Sequence, residues 1–432
     1  MKTIKVIGAG LAGCEASIKL AELGFEVELY DMKPSKKSPA HELTLPAEIV
    51  CSNSLGAEEV TTGSGLFKYE LDKLGCRLLE IARKSRVKAG RALAVDRAIF
   101  SENVKKLLEE KGVKLIEKEI IEFPIEGPVI YATGPLTSEG LAENMREFFS
   151  NEKFYFYDAI APVIDKDSID MNIAFIGGRY QEDAGDYINC PFTEEQYNVF
   201  YNELINAEQH ELKDFEKGHF FESCMPIEEI ASRGPKTPLF GPMRPVGFEH
   251  YIDFIPYAVL QLRQDDMIGS CYNMVGFQTN LKYSEQKRVF SLIPGLENAK
   301  FVRYGQMHKN IYVNSPEKLN SDFSVKGLED VYLAGQITGV EGYVESIFTG
   351  LYVAYKFASK YGKFKDFKIP IDTISGGIIR YITEYSGKNF QPMNANFGLL
   401  PNPGKIRDKK LKKKIMADKS IELFDNFIKN FY

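Results

Sequence analysis

The sequence predicts an α/β fold: a doubly wound parallel sheet made from the two ends of the chain, with an α+β unit inserted between them. Three observations predict it. A short apolar strand at the N-terminus runs into a glycine-rich turn and then a helix. A second strand-into-glycine turn, VYLAG at residues 331–335, opens the last part of the chain. Between them the texture changes to mixed aromatic and polar residues with Pro- and Gly-rich turns, as in GPKTPLFGPMRPVG at 234–247.

The first unit is justified element by element. Residues 3–7 (TIKVI) are short, apolar and β-branched, as a buried strand requires. A helix then runs to about Leu23 and is closed by Gly24. EVELY at 26–30 reads as the next strand, completing a βαβ unit. A helix follows near 97–111, ending at Gly112, then a strand at 113–116 and an apolar strand into a turn at 128–134 (PVIYATG). After the insertion, VYLAG returns to the first texture, and a long helix runs from about Glu341 to Lys360. The expected organisation is residues 1–154, an inserted unit at 155–320 on the substrate side, and 321–432 completing the first sheet and carrying a basic C-terminal segment. No internal repeat or low-complexity segment interrupts this.

Bulk properties bound the chemistry. The 432 residues are 44% hydrophobic and 26% charged, ordinary for a globular enzyme. No apolar run approaches the roughly 18–20 residues of a membrane-spanning helix, and no signal-peptide pattern is present, so a cytoplasmic protein is expected. The net charge of −6 argues against broad nucleic-acid binding. A local basic face remains open: Lys405, Arg407, Lys409, Lys410, Lys412, Lys413 and Lys414 crowd one short segment. Six cysteines are scattered without CxxC pairs or zinc-like spacing, so neither a metal nor a disulfide framework is expected.

The glycine-rich turn is Gly8-Ala9-Gly10-Leu11-Ala12-Gly13. Gly8 permits the tight turn, Gly10 lets a pyrophosphate approach the backbone, and Gly13 lets the helix pack on the strand. The helix start offers free N–H groups to phosphate. Asp31 ends the second strand 23 residues after Gly8, where a carboxylate can bond a ribose. These features predict dinucleotide binding. The second turn, with Gly335, Gln336 and a helix start near Gly342, together with ATG at 132–134, would line one extended ligand. That arrangement is typical of FAD proteins of the glutathione-reductase type, so FAD is expected. Gln336 stands where many such proteins have Asp, and an amide can also bond the ribityl chain.

Two cysteines stand apart. Cys51 lies in VCSNSLG, a polar, turn-forming segment. Cys224 lies in FESCMP, where Pro226 suits the first turn of a helix continuing through IEEIASR; a thiol near a helix start is favoured as thiolate, although Glu222 opposes this.

Taken together, VIGAGLAGCEA, CSNSLG, ALAVDR, ATGPLTSEGL, NCPFTEEQY, FFESCMPIEEIASRG, LFGPMRPVGFE, LQLRQDD, YNMVGFQTNLK, LAGQITGVEGYVES and KNFQPMNANFGLL run in order along nearly the whole chain. They resemble the TrmFO family, folate- and FAD-dependent tRNA (uracil-5-)-methyltransferases related to GidA. The resemblance implies methylation of uridine-54 in the T-loop of tRNA. It implies methylenetetrahydrofolate as carbon donor, reduced FAD as electron source and NADH or NADPH as external reductant. It also implies that Cys51 and Cys224 act in catalysis. Such a parts list suits the reaction. Thiolate addition at C6 makes C5 of uracil nucleophilic, and the transferred methylene must then be reduced. Three alternatives carry different expectations. The same chemistry on ribosomal RNA would share every motif. A non-catalytic, GidA-like RNA-binding flavoprotein would not need both cysteines. A small-molecule oxidoreductase would not need the basic segment.

Overall fold

The computed structural model describes residues 3–38, 40–149, 155–180, 185–210, 225–363, 367–387 and 390–431, the side chains of 155–158 and 308–309 excepted. Among these, a five-stranded sheet runs in the order Val331–Leu333, Val129–Tyr131, Thr3–Ile7, Glu26–Asp31, Lys114–Glu117. Every pair in it is parallel. The strand from the last part of the chain thus sits beside two from the first. Parallel strands need crossovers, and helix Leu11–Glu22 supplies the first.

Helix Tyr343–Lys360 packs across Leu11–Glu22. The approach is close enough that a Cβ on Gly350 would stand 2.1 Å from the Ala12 carbonyl oxygen. One continuous core joins these helices to the sheet, from Ile4 and Val6 through Val331 and Leu333 to Ile347 and Leu351, all buried. The long helix begins at Tyr343 rather than at Glu341, because Gly342 at φ 119° occupies the cap. Residues Gln336–Thr338 form a short 3-10 turn before it.

Between these parts lies a six-stranded antiparallel sheet, in the order Phe175–Gly177, Tyr187–Phe192, Ala258–Gln264, Cys271–Met274, Val163–Asp165, Phe301–Arg303. It has a separate core, with Phe192, Phe200, Leu260, Met274, Phe277 and Phe290 at its centre. The paired strands Tyr155–Ala159 and Met307–Ile311 lead into and out of it. Helix Lys409–Phe431 closes the chain and buries Met416, Ala417, Ser420 and Phe424. No described helix is long and apolar enough to cross a membrane.

Candidate functional site

A cavity of about 550 Å3 opens where the parallel sheet's strands end. Its floor is the glycine-rich turn. Gly8 has φ 101°, and a Cβ there would meet the Ala132 oxygen and the Thr133 Cα at 2.7 Å. A Cβ on Gly13 would stand 1.9 Å from the Gly8 oxygen, so helix and strand touch backbone to backbone. Gly10 differs: a Cβ there would find only the Ala132 oxygen, at 3.9 Å. The space beside Gly10 is therefore cavity, not protein. Gly10 also caps the helix without any side-chain bond, and Leu11 and Ala12 line the cavity at the helix start. Such a terminus suits an anionic phosphate.

Asp31 has a structural task at the same place. Its Oδ2 accepts from the Ala9 N–H at 2.7 Å and its Oδ1 from the Lys33 N–H at 2.8 Å. Each oxygen keeps a second lone pair, so bonding to a ribose remains open. The second turn completes the wall. Gly335 has φ 84° and donates its N–H to Thr349 Oγ1 at 2.6 Å. Gln336 bonds through Nε2 to the Glu341 carboxylate, and both line the cavity. Gly342 caps the second helix whose start opens there.

Cys51 lies in the same cavity wall, half-buried. Its N–H donates to the Tyr343 hydroxyl at 2.9 Å, and its thiol lies 3.6 Å from the Ala159 oxygen. Two guanidinium groups hold its carbonyl: Arg97 at 3.3 Å and Arg303 at 3.4 Å. Asn53 anchors the loop further. Its Nδ2 donates to the Val95 and Gln264 oxygens at 3.2 and 3.0 Å, and its Oδ1 accepts from Arg263 Nε at 3.0 Å. The other described cysteines differ: burial pushes the thiols of Cys14, Cys76 and Cys190 far up, and the thiol of Cys271 is also raised by burial. Among described residues no group of His, Cys, Asp and Glu is arranged to hold a metal ion.

Cys224 lies outside the described residues. The chain after it is Met225, buried, then Pro226 in the cap position of a short helix, Ile227–Ser232, rather than in its first turn. The Ile227 N–H donates to the Gln278 oxygen at 2.7 Å, and Gln278 lines the cavity. Glu228 secures this junction, accepting from the Asn280 N–H at 2.6 Å and Thr279 Oγ1 at 2.9 Å.

Sequence reasoning missed several wall residues. Lys33 reaches the Leu45 oxygen at 2.6 Å, and His41, pushed down to about 4 by burial and by Lys33, is neutral at physiological pH. Arg97 and Arg263 did lie inside conspicuous segments, ALAVDR and LQLRQDD. For Arg263 the available signal was an arginine inside an apolar strand, Ala258–Gln264; Arg97, which bonds the Cys51 carbonyl, starts the helix Arg97–Glu110 and carried no such mark. In the C-terminal segment Lys405, Arg407, Lys409, Lys410, Lys413 and Lys414 are exposed and Lys412 half-exposed. Lys413 lies 5.9 Å over the Phe397 ring, two residues beyond the cavity-lining Ala395.

Comparison with known proteins agrees with this architecture. The family described as "Glucose inhibited division protein A" matches residues 3–365. The "Methylenetetrahydrofolate--tRNA-(uracil-5-)-methyltransferase TrmFO" of Fusobacterium nucleatum is 51% identical over 431 residues, covering 99% of each chain. The protein of the same name from Enterococcus faecalis is 50% identical, covering 98% of each. Among solved structures, Aquifex aeolicus GidA in its form I crystal superposes with a TM-score of 0.69 at 16% identity, over 99% of this chain and 78% of that one; at that identity the likeness speaks for the fold. The chain belongs to the TrmFO family, within the wider family of glucose inhibited division protein A.

Proposed function

We propose that this protein methylates C5 of uridine-54 in the T-loop of tRNA, with methylenetetrahydrofolate as carbon donor and FAD as redox cofactor, reduced by NADH or NADPH. The carrying observation is that Cys51 and the glycine-rich turn open onto one cavity, in a chain half identical over its whole length to proteins named for that reaction. The relatives' names specify tRNA and give the ribosomal RNA reading no support. A cytoplasmic location fits these substrates.

The residues present suit FAD. Gly8 through Gly13, with the open space beside Gly10 and the uncapped helix start, would take the pyrophosphate. Asp31 would take the ribose, and Gln336 and the helix start at Gly342 the flavin side. Bound FAD supplies the electrons that turn a methylene into a methyl group.

The chain's own residues do the rest. Arg97, Arg303 and Tyr343 hold Cys51 at the cavity wall. Cys224 is the proposed nucleophile towards uracil C6. It precedes a segment tied to Gln278, on the cavity wall, and belongs to the 155–320 unit that we assign to the RNA side. Cys51, on the cofactor side, handles the one-carbon unit or a proton near it. The exposed cations from Lys405 to Lys414, with the exposed Arg233, Lys236 and Arg244, offer contacts to RNA phosphates.

The test is incubation of unmodified tRNA, and separately ribosomal RNA, with labelled methylenetetrahydrofolate and NAD(P)H, followed by nucleoside mapping. Label in 5-methyluridine at position 54 of tRNA is expected from a yellow, FAD-bearing protein. Methyl transfer from S-adenosylmethionine alone would falsify the reading.

A further inference from the structure

Around Cys51 the structure gathers buried positive charge that its carboxylates do not balance. Arg97 pairs with Asp265 at 3.2 Å, their side chains 12% and 13% exposed. Among the described residues the carboxylate facing Arg303 is Glu42, at 3.8 Å and 60% exposed. Arg263 is 7% exposed and lines the cavity. Its Nε is taken by Asn53, and its terminal nitrogens have no hydrogen-bond partner among the described residues. Burial, with the neighbouring Arg97, pushes the guanidinium pKa of both Arg263 and Arg303 down, and Asp265, shared between them, pulls the other way without offsetting it. Asn310, 2% exposed and also in the cavity wall, has an Nδ2 without a partner. A buried cation without a full counter-charge is costly, and buried donors without acceptors are rare. A ligand that brings an anionic oxygen would satisfy both.

We propose that Arg263, with Asn310, holds the ring oxygen of a pyrimidinedione that takes up negative charge during the reaction. This rests on the proposed function, which puts two such rings in play: the target uracil and the pyrimidine edge of the flavin. In the uracil case a cysteine thiolate forms the S–C6 bond, and the C5=C6 electron pair moves to give a C4=C5 bond and an oxyanion at O4. The thiolate's charge ends on the oxygen that Arg263 would hold. In the flavin case Arg263 would hold the N1 and C2-oxygen edge, where a flavin reduced by NAD(P)H would carry its negative charge. A planar guanidinium fork matches the two adjacent acceptors of the flavin N1–C2–O edge better than a point-like ammonium does; at uracil, where N3–H is itself a donor, the guanidinium would bond the O4 oxygen alone.

The test compares the FAD-loaded full chain with its Arg263→Gln, Arg263→Lys and Asp265→Asn variants in two assays. Sulfite titration reads the flavin edge, because addition at N5 sends charge to that same edge. The rate of covalent adduct formation with tRNA carrying 5-fluorouridine reads the uracil. Arg263→Gln is expected to weaken one readout by roughly 10²-fold, the scale of a lost oxyanion donor. Arg263→Lys should recover most of that loss, and Asp265→Asn, which removes an anion, should shift the same readout the opposite way. A change in sulfite affinity alone identifies the flavin as occupant, and a change in adduct rate alone identifies the uracil. If neither moves in a folded, FAD-bearing Arg263→Gln protein, or if Lys serves no better than Gln, the proposal is overturned. Should Arg263→Gln not fold, the Asp265→Asn shift decides, and its absence overturns the proposal. A wild-type protein that takes no FAD or transfers no methyl group from the folate sinks the proposed function instead.

Discussion

At the scale of single residues, the three glycines of the turn look alike in sequence and unlike in structure. A Cβ on Gly13 collides with the Gly8 oxygen at 1.9 Å, whereas one on Gly10 meets nothing closer than 3.9 Å. Gly13→Ala should therefore damage the fold, by about 3 kcal/mol in urea unfolding of the FAD-free protein. Gly10→Ala should leave that stability within about 0.5 kcal/mol yet weaken FAD binding, read by quenching of flavin fluorescence, at least tenfold. Equal FAD affinity in Gly10→Ala and wild type would remove the pyrophosphate from that space. The sequence named these glycines because their roles are backbone roles at fixed spacing. It could not name Lys33, His41 or Asn310, because nothing local marks a polar residue whose burial depends on distant segments.

At the scale of elements, helix and strand types were legible and their ends less so. The first strand runs Thr3–Ile7 as read from its apolar pattern, and the strand into a turn expected at 128–134 is strand Val129–Tyr131 followed by ATG in the cavity wall. How the C-terminal helix docks was not legible, since it depends on a buried carboxylate on another helix. Glu70 accepts from the Ile374 and Ser375 N–H groups at 3.0 and 2.8 Å and from Ser420 Oγ at 2.9 Å, joining three helices. Burial raises its carboxyl from the usual 4.5 to about 7, against the pull of those donors. A folded pKa above the unfolded one means that the folded state binds the proton more tightly. Its contribution is full below about 4.5 and is lost as pH rises through about 7. Urea unfolding should show stability falling from pH 5 to pH 8, and Glu70→Gln should remove about 3 kcal/mol of that fall. An unchanged slope would show that Glu70 stays ionised throughout. On the same C-terminal helix, replacing Lys412, Lys413 and Lys414 with Gln should weaken tRNA binding. It should also lessen the slope of log affinity against log salt by about 2, with the flavin spectrum unchanged. If filter binding shows the slope intact, the lysines are only a solvated face.

At the scale of the whole molecule, the parallel sheet and the antiparallel sheet have separate cores, and the Cys51 loop is one of the places where the two parts are joined, alongside bonds such as Tyr187 to Ala89 and Met267 to Asp96. The sequence signalled two textures and a polar turn at Cys51, but a junction between sheets has no local pattern, so Asn53 went unnoticed inside CSNSLG. Asn53 is fully buried and spans the joint: it donates to Val95 on one side and to Gln264 on the other, while accepting from Arg263. Removing its side chain strands Arg263 Nε and two carbonyls in a dry place. Hydrogen bonds to charged groups contribute roughly 1.5–3 kcal/mol each, so Asn53→Ala should lose about 3 kcal/mol of stability. The side-chain hydrogen bonds of Asn53 go to Val95, Gln264, Asp265 and Arg263 and not to the glycine-rich turn, so FAD should still bind to the folded fraction. Methylation should suffer more than stability predicts, because Arg97, Arg263 and Arg303 would no longer share a fixed frame with the Cys51 loop. The expected result, in tRNA methylation measured well below the unfolding midpoint, is a kcat lowered on the order of 10²-fold with FAD affinity within about threefold of wild type. A variant that is destabilised but keeps its full kcat would show that the joint holds the sheets together without setting the geometry at Cys51.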